Sequence, residues 1–225
     1  MRYNGLRLVI EMALNTLDDP LLHKHADALV LGAIREDITF AARRKKIREH
    51  WSLSHFDGAW LAGGFLPFVT PSAPTMAQRY FDRALDAWRR QRPALAFVEL
   101  GKASHLLIDM ACPVHASRVA HLTDGYEWYV ETHGAELARL PLPLIDGPAS
   151  AAAITAALAR HTRRFAPDRT NHHWGRLLKR LGLRRAQTRA QWAAQADAII
   201  PVAAAHLAQM YRCFLSQTQA PLPCS

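Results

Sequence analysis

Residues 99–131 read ELGKASHLLIDMACPVHASRVAHLTDGYEWYVE, and both fold and function turn on this stretch. Between positions 105 and 127 it carries His105, Asp109, His115, His121 and Glu127, all of them side chains that bind metal ions. His105 and Asp109 lie four apart in an apolar, proline-free run, which predicts a helix. On an α-helix this spacing offsets two side chains by only about 40°, so an imidazole and a carboxylate face the same way and can share a cation. Pro113 ends that helix, because a proline disfavours helical geometry in the residue before it. The chain then turns through His115 and His121, and Glu127 falls on the next predicted helix. A hydrogen-bonded pair of core polar groups would explain His105 and Asp109 alone. Five ionisable groups at a break between helices call for partners or a metal.

The segment LGKASHLLIDMACPVHA (100–116) resembles the signature of the zinc-dependent phospholipase C and S1-P1 nuclease superfamily. That signature has a leucine-glycine start, His-x-x-x-Asp on a helix, and then x-Pro-x-His-Ala. DGYEWYVE (124–131) is similar to the Tyr-Glu-x-x-Val helix that supplies the family's next ligand. Upstream, Gly32-Ala33-Ile34-Arg35-Glu36-Asp37 looks like the segment that delivers a metal-binding aspartate. Ser54-His55-Phe56 is similar to the segment that carries a metal-binding histidine, and it follows in the right order. The match is nearest to the bacterial phospholipase C-like branch.

The resemblance implies an all-α fold, with residues 1–225 forming one helical domain. It implies that Asp37, His55, His105 and Asp109 hold one zinc ion, and that His115, Glu127 and a further ligand hold a second. The sequence departs from the pattern at this further ligand. The phospholipases place a histidine four residues before the glutamate, where this chain has Thr123. His121 is the nearest replacement, and Asp124 is the alternative. Secreted members bind a third zinc through an N-terminal tryptophan and a nearby histidine. This chain begins MRYN, has no tryptophan before Trp51 and no histidine before His23, so about two zinc ions are expected.

The implied activity is hydrolysis of a phosphodiester by metal-activated water, with Asp37 as the catalytic carboxylate that orients or deprotonates it. The expected partner is a phospholipid or another anionic phosphodiester, with transient contact at a membrane surface. A single-strand nuclease using the same metals, with nucleic acid as its partner, is the second reading. A non-catalytic helical protein stabilised by metal is the third.

Composition fits these readings without choosing among them. At 225 residues and 50% hydrophobic, the chain can bury one sizeable core. Its net charge of +9 is concentrated in RRKKIR (43–48) and RLLKRLGLRRAQTR (176–189), clusters that attract phosphates or form solvated helix faces. No run reaches the roughly 18 apolar residues of a membrane span. The first apolar run is broken at Glu11, so no signal peptide is expected, and a cytoplasmic location follows unless secretion uses a signal-independent route. Cys112, Cys213 and Cys224 are odd in number and lack metal-type spacing, so no disulfide framework is expected.

Periodicity predicts helices over 5–17 and 21–38, separated by Asp18-Asp19-Pro20, with His23 and His25 on the surface. Residues 58–74 are broken by glycine and proline and read as an irregular lobe, packed in the core or forming an apolar lip that touches lipid. A helix capped by Thr75 runs to Arg92, and Pro93 opens the central helix. Further helices are expected over 126–140, 149–165 and 187–216, the last kinked at Pro201, with a helix start at 171–174. Alternating strand patterns, a glycine-rich phosphate loop and a Gly-x-Ser-x-Gly elbow are all missing from the sequence.

Overall fold

In the computed structural model, helices bury their apolar faces in one core, as expected. The structure describes residues 1–42, 57, 60–61, 69–119, 124–146, 150–168, 179–181 and 186–219, with 36–42, 60–61, 69–70 and 219 by backbone alone. Helix α1 (Tyr3–Leu17) buries Leu6, Val9, Ile10, Ala13 and Leu14, the face predicted by its spacing. It stops at Asp18, whose left-handed backbone (φ 45°) directs its N–H to the Leu14 carbonyl. Asp19 then caps α2 (Pro20–Lys24), accepting hydrogen bonds from the N–H groups of Leu21 and Leu22. The predicted helix over 21–38 is in fact two helices, because His25 interrupts it before α3 (Ala26–Ala42). His25 is partly exposed, in keeping with its expected surface position, but one face of its ring stacks on Phe97 with centroids 4.4 Å apart.

Among the described residues one antiparallel pairing, of Trp60–Leu61 (β1) with Val69–Thr70 (β2), lies in the lobe read as irregular, and the rest of 58–68 lies outside the described residues. Helix α4 (Ala73–Arg89) is capped by Ser72 rather than Thr75, the Ser72 hydroxyl accepting from the Thr75 N–H. Helix α5 (Pro93–Asp109) begins with proline at its first turn, where the missing N–H costs no hydrogen bond. From Ala96 to Asp109 it is almost wholly buried, packed between α3 and α4. A helix that is apolar nearly all round belongs in a core, and the other polar residues of this one are partnered: Lys102 pairs with Glu99 and the Ser104 hydroxyl donates to the Leu100 carbonyl.

The crossing of α3 and α5 depends on two glycines. A Cβ on Gly101 would sit 2.1 Å from the Leu29 carbonyl oxygen, and one on Gly32 would sit 2.1 Å from that of Val98. Only glycine lets the two backbones approach this closely. Gly101 precedes His105 by one helical turn, and Gly32 precedes Asp37 in the segment resembling the family's aspartate.

Beyond α5 come a single turn, α6 (Pro113–Ala116), then α7 (Gly125–Thr132) and α8 (Gly134–Leu137). The predicted helix over 126–140 is therefore broken at His133, which also stacks on Tyr129 with centroids 3.9 Å apart. Helix α9 (Ala151–Thr162) and the long helix Arg189–Gln219 complete the bundle, the latter running through Pro201 and packing on α1, α7 and α9. Phe81, Trp88, Phe97 and Phe214 meet edge to face in its core, with centroids between 5.6 and 6.2 Å apart. By length and composition alone the helix over 189–218 could cross a membrane, but 72% of its most apolar window is buried, as in a core helix.

Candidate metal centre

The last turn of α5 places His105 and Asp109 on one face, as their spacing requires. Both are fully buried, and His105 Nε2 lies 3.2 Å from Asp109 Oδ2. The chain then turns tightly, the Cys112 N–H donating to the Asp109 carbonyl at 2.9 Å. Extended backbone at Cys112 followed by Pro113 starts α6, so Cys112 and His115 stand one turn apart. Opposite them, Asp124 caps α7 by accepting from the Tyr126 N–H at 3.0 Å, and the first turn of α7 presents Glu127. His115 Nε2 comes to 3.5 Å from Glu127 Oε1.

Two pairs from different elements thus converge, and a positive charge joins them. The Met1 α-ammonium lies 2.6 Å from Asp109 Oδ1 and 3.1 Å from Glu127 Oε1, completely buried. Burial weakens this ammonium, yet Asp109 and Glu127 outweigh burial and hold its pKa well above the ordinary value. Burial likewise opposes ionisation of Glu127, but the ammonium and His115 depress its pKa far below the usual carboxylate range. For His115, burial favours the neutral ring, while Asp109 and Glu127 raise its pKa overall. The cluster is built around a cation, with imidazole and carboxylate donors of the kind zinc takes. Residues and group fit one another.

Of the sequence-predicted ligands, the structure brings His105, Asp109, His115 and Glu127 together. The Asp37 side chain and residues His55, His121 and Thr123 lie outside the described residues. Asp57, two residues past His55, is nonetheless placed: its N–H approaches the His115 carbonyl at 3.4 Å, and Arg163 forms an ion pair with its carboxylate. Asp124, the alternative ligand, is engaged elsewhere, capping α7 through Oδ1 and accepting from the Cys112 thiol through Oδ2 at 3.3 Å. Sequence reasoning overlooked Cys112. Its sulfur, a His115 ring nitrogen and a Glu127 oxygen all lie within 4.8 Å of one another. The available signal was the local spacing Cys-Pro-x-His across a helix start, rather than spacing between cysteines.

No curated protein sequence matches this chain. Among solved structures it is similar to the Clostridium perfringens alpha-toxin from avian strain SWCP, with 14% identity and a TM-score of 0.60 over 97% of this chain and 63% of that one. The alpha toxin from Clostridium absonum is similar at 16% identity and a TM-score of 0.63, over 97% of this chain and 66% of that one. The chain therefore spans about two-thirds of each toxin's length, and at these identities the likeness is one of fold. Residues 7–190, most of the chain, match the family described as zinc dependent phospholipase C. The chain belongs to the zinc-dependent phospholipase C family.

Proposed function

We propose that the protein is a zinc-dependent phosphodiester hydrolase of the phospholipase C type. The observation that carries this reading is the gathering of two His–carboxylate pairs, the fully buried His105 with Asp109 and the partly exposed His115 with Glu127, around one cationic position. His105 and Asp109, with Asp37 and His55 by family resemblance, would hold one zinc ion; His115 and Glu127 would contribute to a second. When bound, zinc supplies Lewis-acid polarisation of a phosphoryl oxygen and acidifies water near neutral pH.

The chain's own residues supply position and charge. Helix α5 fixes His105 and Asp109 rigidly, because its flanks are packed against α3 and α4. The Asp124 cap anchors the first turn of α7 and with it Glu127, whose carboxylate stays ionised. Asp37, by resemblance, orients or takes a proton from the attacking water. The net charge of +9 favours an anionic phosphate ester, and the family favours a phospholipid, with diacylglycerol as the leaving alcohol and the headgroup released with its phosphate.

Zinc-replete protein assayed on phosphatidylcholine, an anionic phospholipid, single-stranded DNA and bis-p-nitrophenyl phosphate tests the proposal. Chelator-sensitive release of phosphorylated headgroup is expected. Turnover of DNA alone would shift the reading to a nuclease, and folded, zinc-replete protein inert on every substrate would overturn it.

A further inference from the structure

We propose that Cys112 is a metal ligand, completing with His115 and Glu127 a zinc site of sulfur, nitrogen and oxygen donors. The inference rests on the zinc-dependent reading above and names the ligand that the sequence pattern leaves open at Thr123.

The geometry is close to what such a site needs. Ligand atoms in tetrahedral zinc sites, with bonds of about 2.0–2.3 Å, lie about 3.5 Å apart. His115 Nε2 and Glu127 Oε1 already stand 3.5 Å apart, and the Cys112 sulfur lies within 4.8 Å of a His115 ring nitrogen and a Glu127 carboxylate oxygen. Closing the remainder takes a small side-chain movement. The backbone holding the three donors is fixed: Cys112 donates its N–H to Asp109 and accepts from the Ala116 N–H at 3.0 Å, while Asp124 anchors α7.

A buried cysteine that serves only as a small apolar filler faces apolar neighbours. The sulfur of Cys112 instead lies 3.3 Å from Asp124 Oδ2, beside Glu127 and His115. On metal binding the S–H bond breaks, the sulfur lone pair forms the zinc bond, and the proton passes to Asp124 or onward to solvent, with no change in oxidation state. A thiolate and a carboxylate together neutralise the dication. Such a site holds zinc firmly and polarises a phosphate oxygen less than a site with two neutral imidazoles.

Cobalt(II) reports thiolate coordination directly, through an intense sulfur-to-metal charge-transfer absorption. Apoprotein loaded with cobalt(II), freed of excess metal and analysed for metal content, should show this band. It should persist in the Cys213→Ser, Cys224→Ser double variant and vanish in Cys112→Ser, which should also bind one ion fewer. Far-ultraviolet circular dichroism checks the fold of each variant, and the wild-type spectrum is informative without any substitution. Cobalt-loaded wild type without the band, or a band surviving in folded Cys112→Ser, would overturn the assignment while leaving the metal-dependent reading intact. Wild type that binds neither zinc nor cobalt would overturn both.

Discussion

Replacing Gly101 by alanine adds one methyl group where α5 crosses α3. The new Cβ would meet the Leu29 carbonyl oxygen at 2.1 Å and the Ala33 nitrogen and Gly32 Cα at 3.0 Å. Its neighbours are backbone atoms, which cannot rotate aside, so the helices must separate by about an ångström. Overpacking of this kind costs about 1–3 kcal/mol or more. Alanine regains about 1 kcal/mol over glycine in helix propensity. With the clash at the severe end, the net loss is about 2 kcal/mol, which for a chain of this size lowers Tm by about 4–8 °C. Thermal unfolding of metal-free protein, followed by circular dichroism, measures the effect without stabilisation from bound ligand. Gly134→Ala is the control. Its Cβ would meet only Leu8 Cδ2 at 3.9 Å, an ordinary contact, so Tm should hold or rise slightly. Gly101→Ala as stable as wild type would refute the close-crossing argument.

Acid and base should act on the metal-free protein in opposite ranges. Glu127 has a folded pKa below its ordinary 4.5, so the stability it contributes is present above that value and is lost as pH falls below it. His115 has a folded pKa above its ordinary 6.5, so its contribution is present below 6.5 and is lost as pH rises through the folded value. Zinc-loaded protein should lack the second loss, since a ligating imidazole is already neutral; Tm measured against pH with and without chelator distinguishes the two. Separately, Ser72→Ala removes the acceptor for the Thr75 N–H and should cost about 1 kcal/mol, read as a Tm drop of about 2–4 °C.

The parts of this protein that were legible in the sequence are those governed by local periodicity. Residues four apart had to share a helix face, so His105 and Asp109 were paired correctly, and Pro93 marked a real helix start; Pro113 opens α6, whereas α5 already ends at Asp109. What escaped depended on tertiary contact or on fine turn chemistry. His25 carries a polar ring, yet Phe97 offers it a face to stack on. Thr75 looked like a cap, but Ser72 is the residue with extended backbone before the helix. The glycines of the two motifs read only as landmarks until the 2.1 Å approaches gave them a packing role. The Cys-Pro-x-His spacing sets Cys112 beside His115, but nothing local reveals that α7 returns to face them. The sulfur joins Glu127 only through the packing of two elements separated by the turn after α6.

The most direct test of a metal-dependent hydrolase is turnover of the preferred phosphodiester by wild type, His105→Ala, Asp109→Asn and the double variant, each with its zinc content and fold verified. Groups that act as one unit lose function non-additively. Each single variant should lose nearly all chelator-sensitive turnover together with bound zinc, and the double variant should be little worse than either. Activity that survives both substitutions in folded protein would contradict the assignment of chemistry to the end of α5.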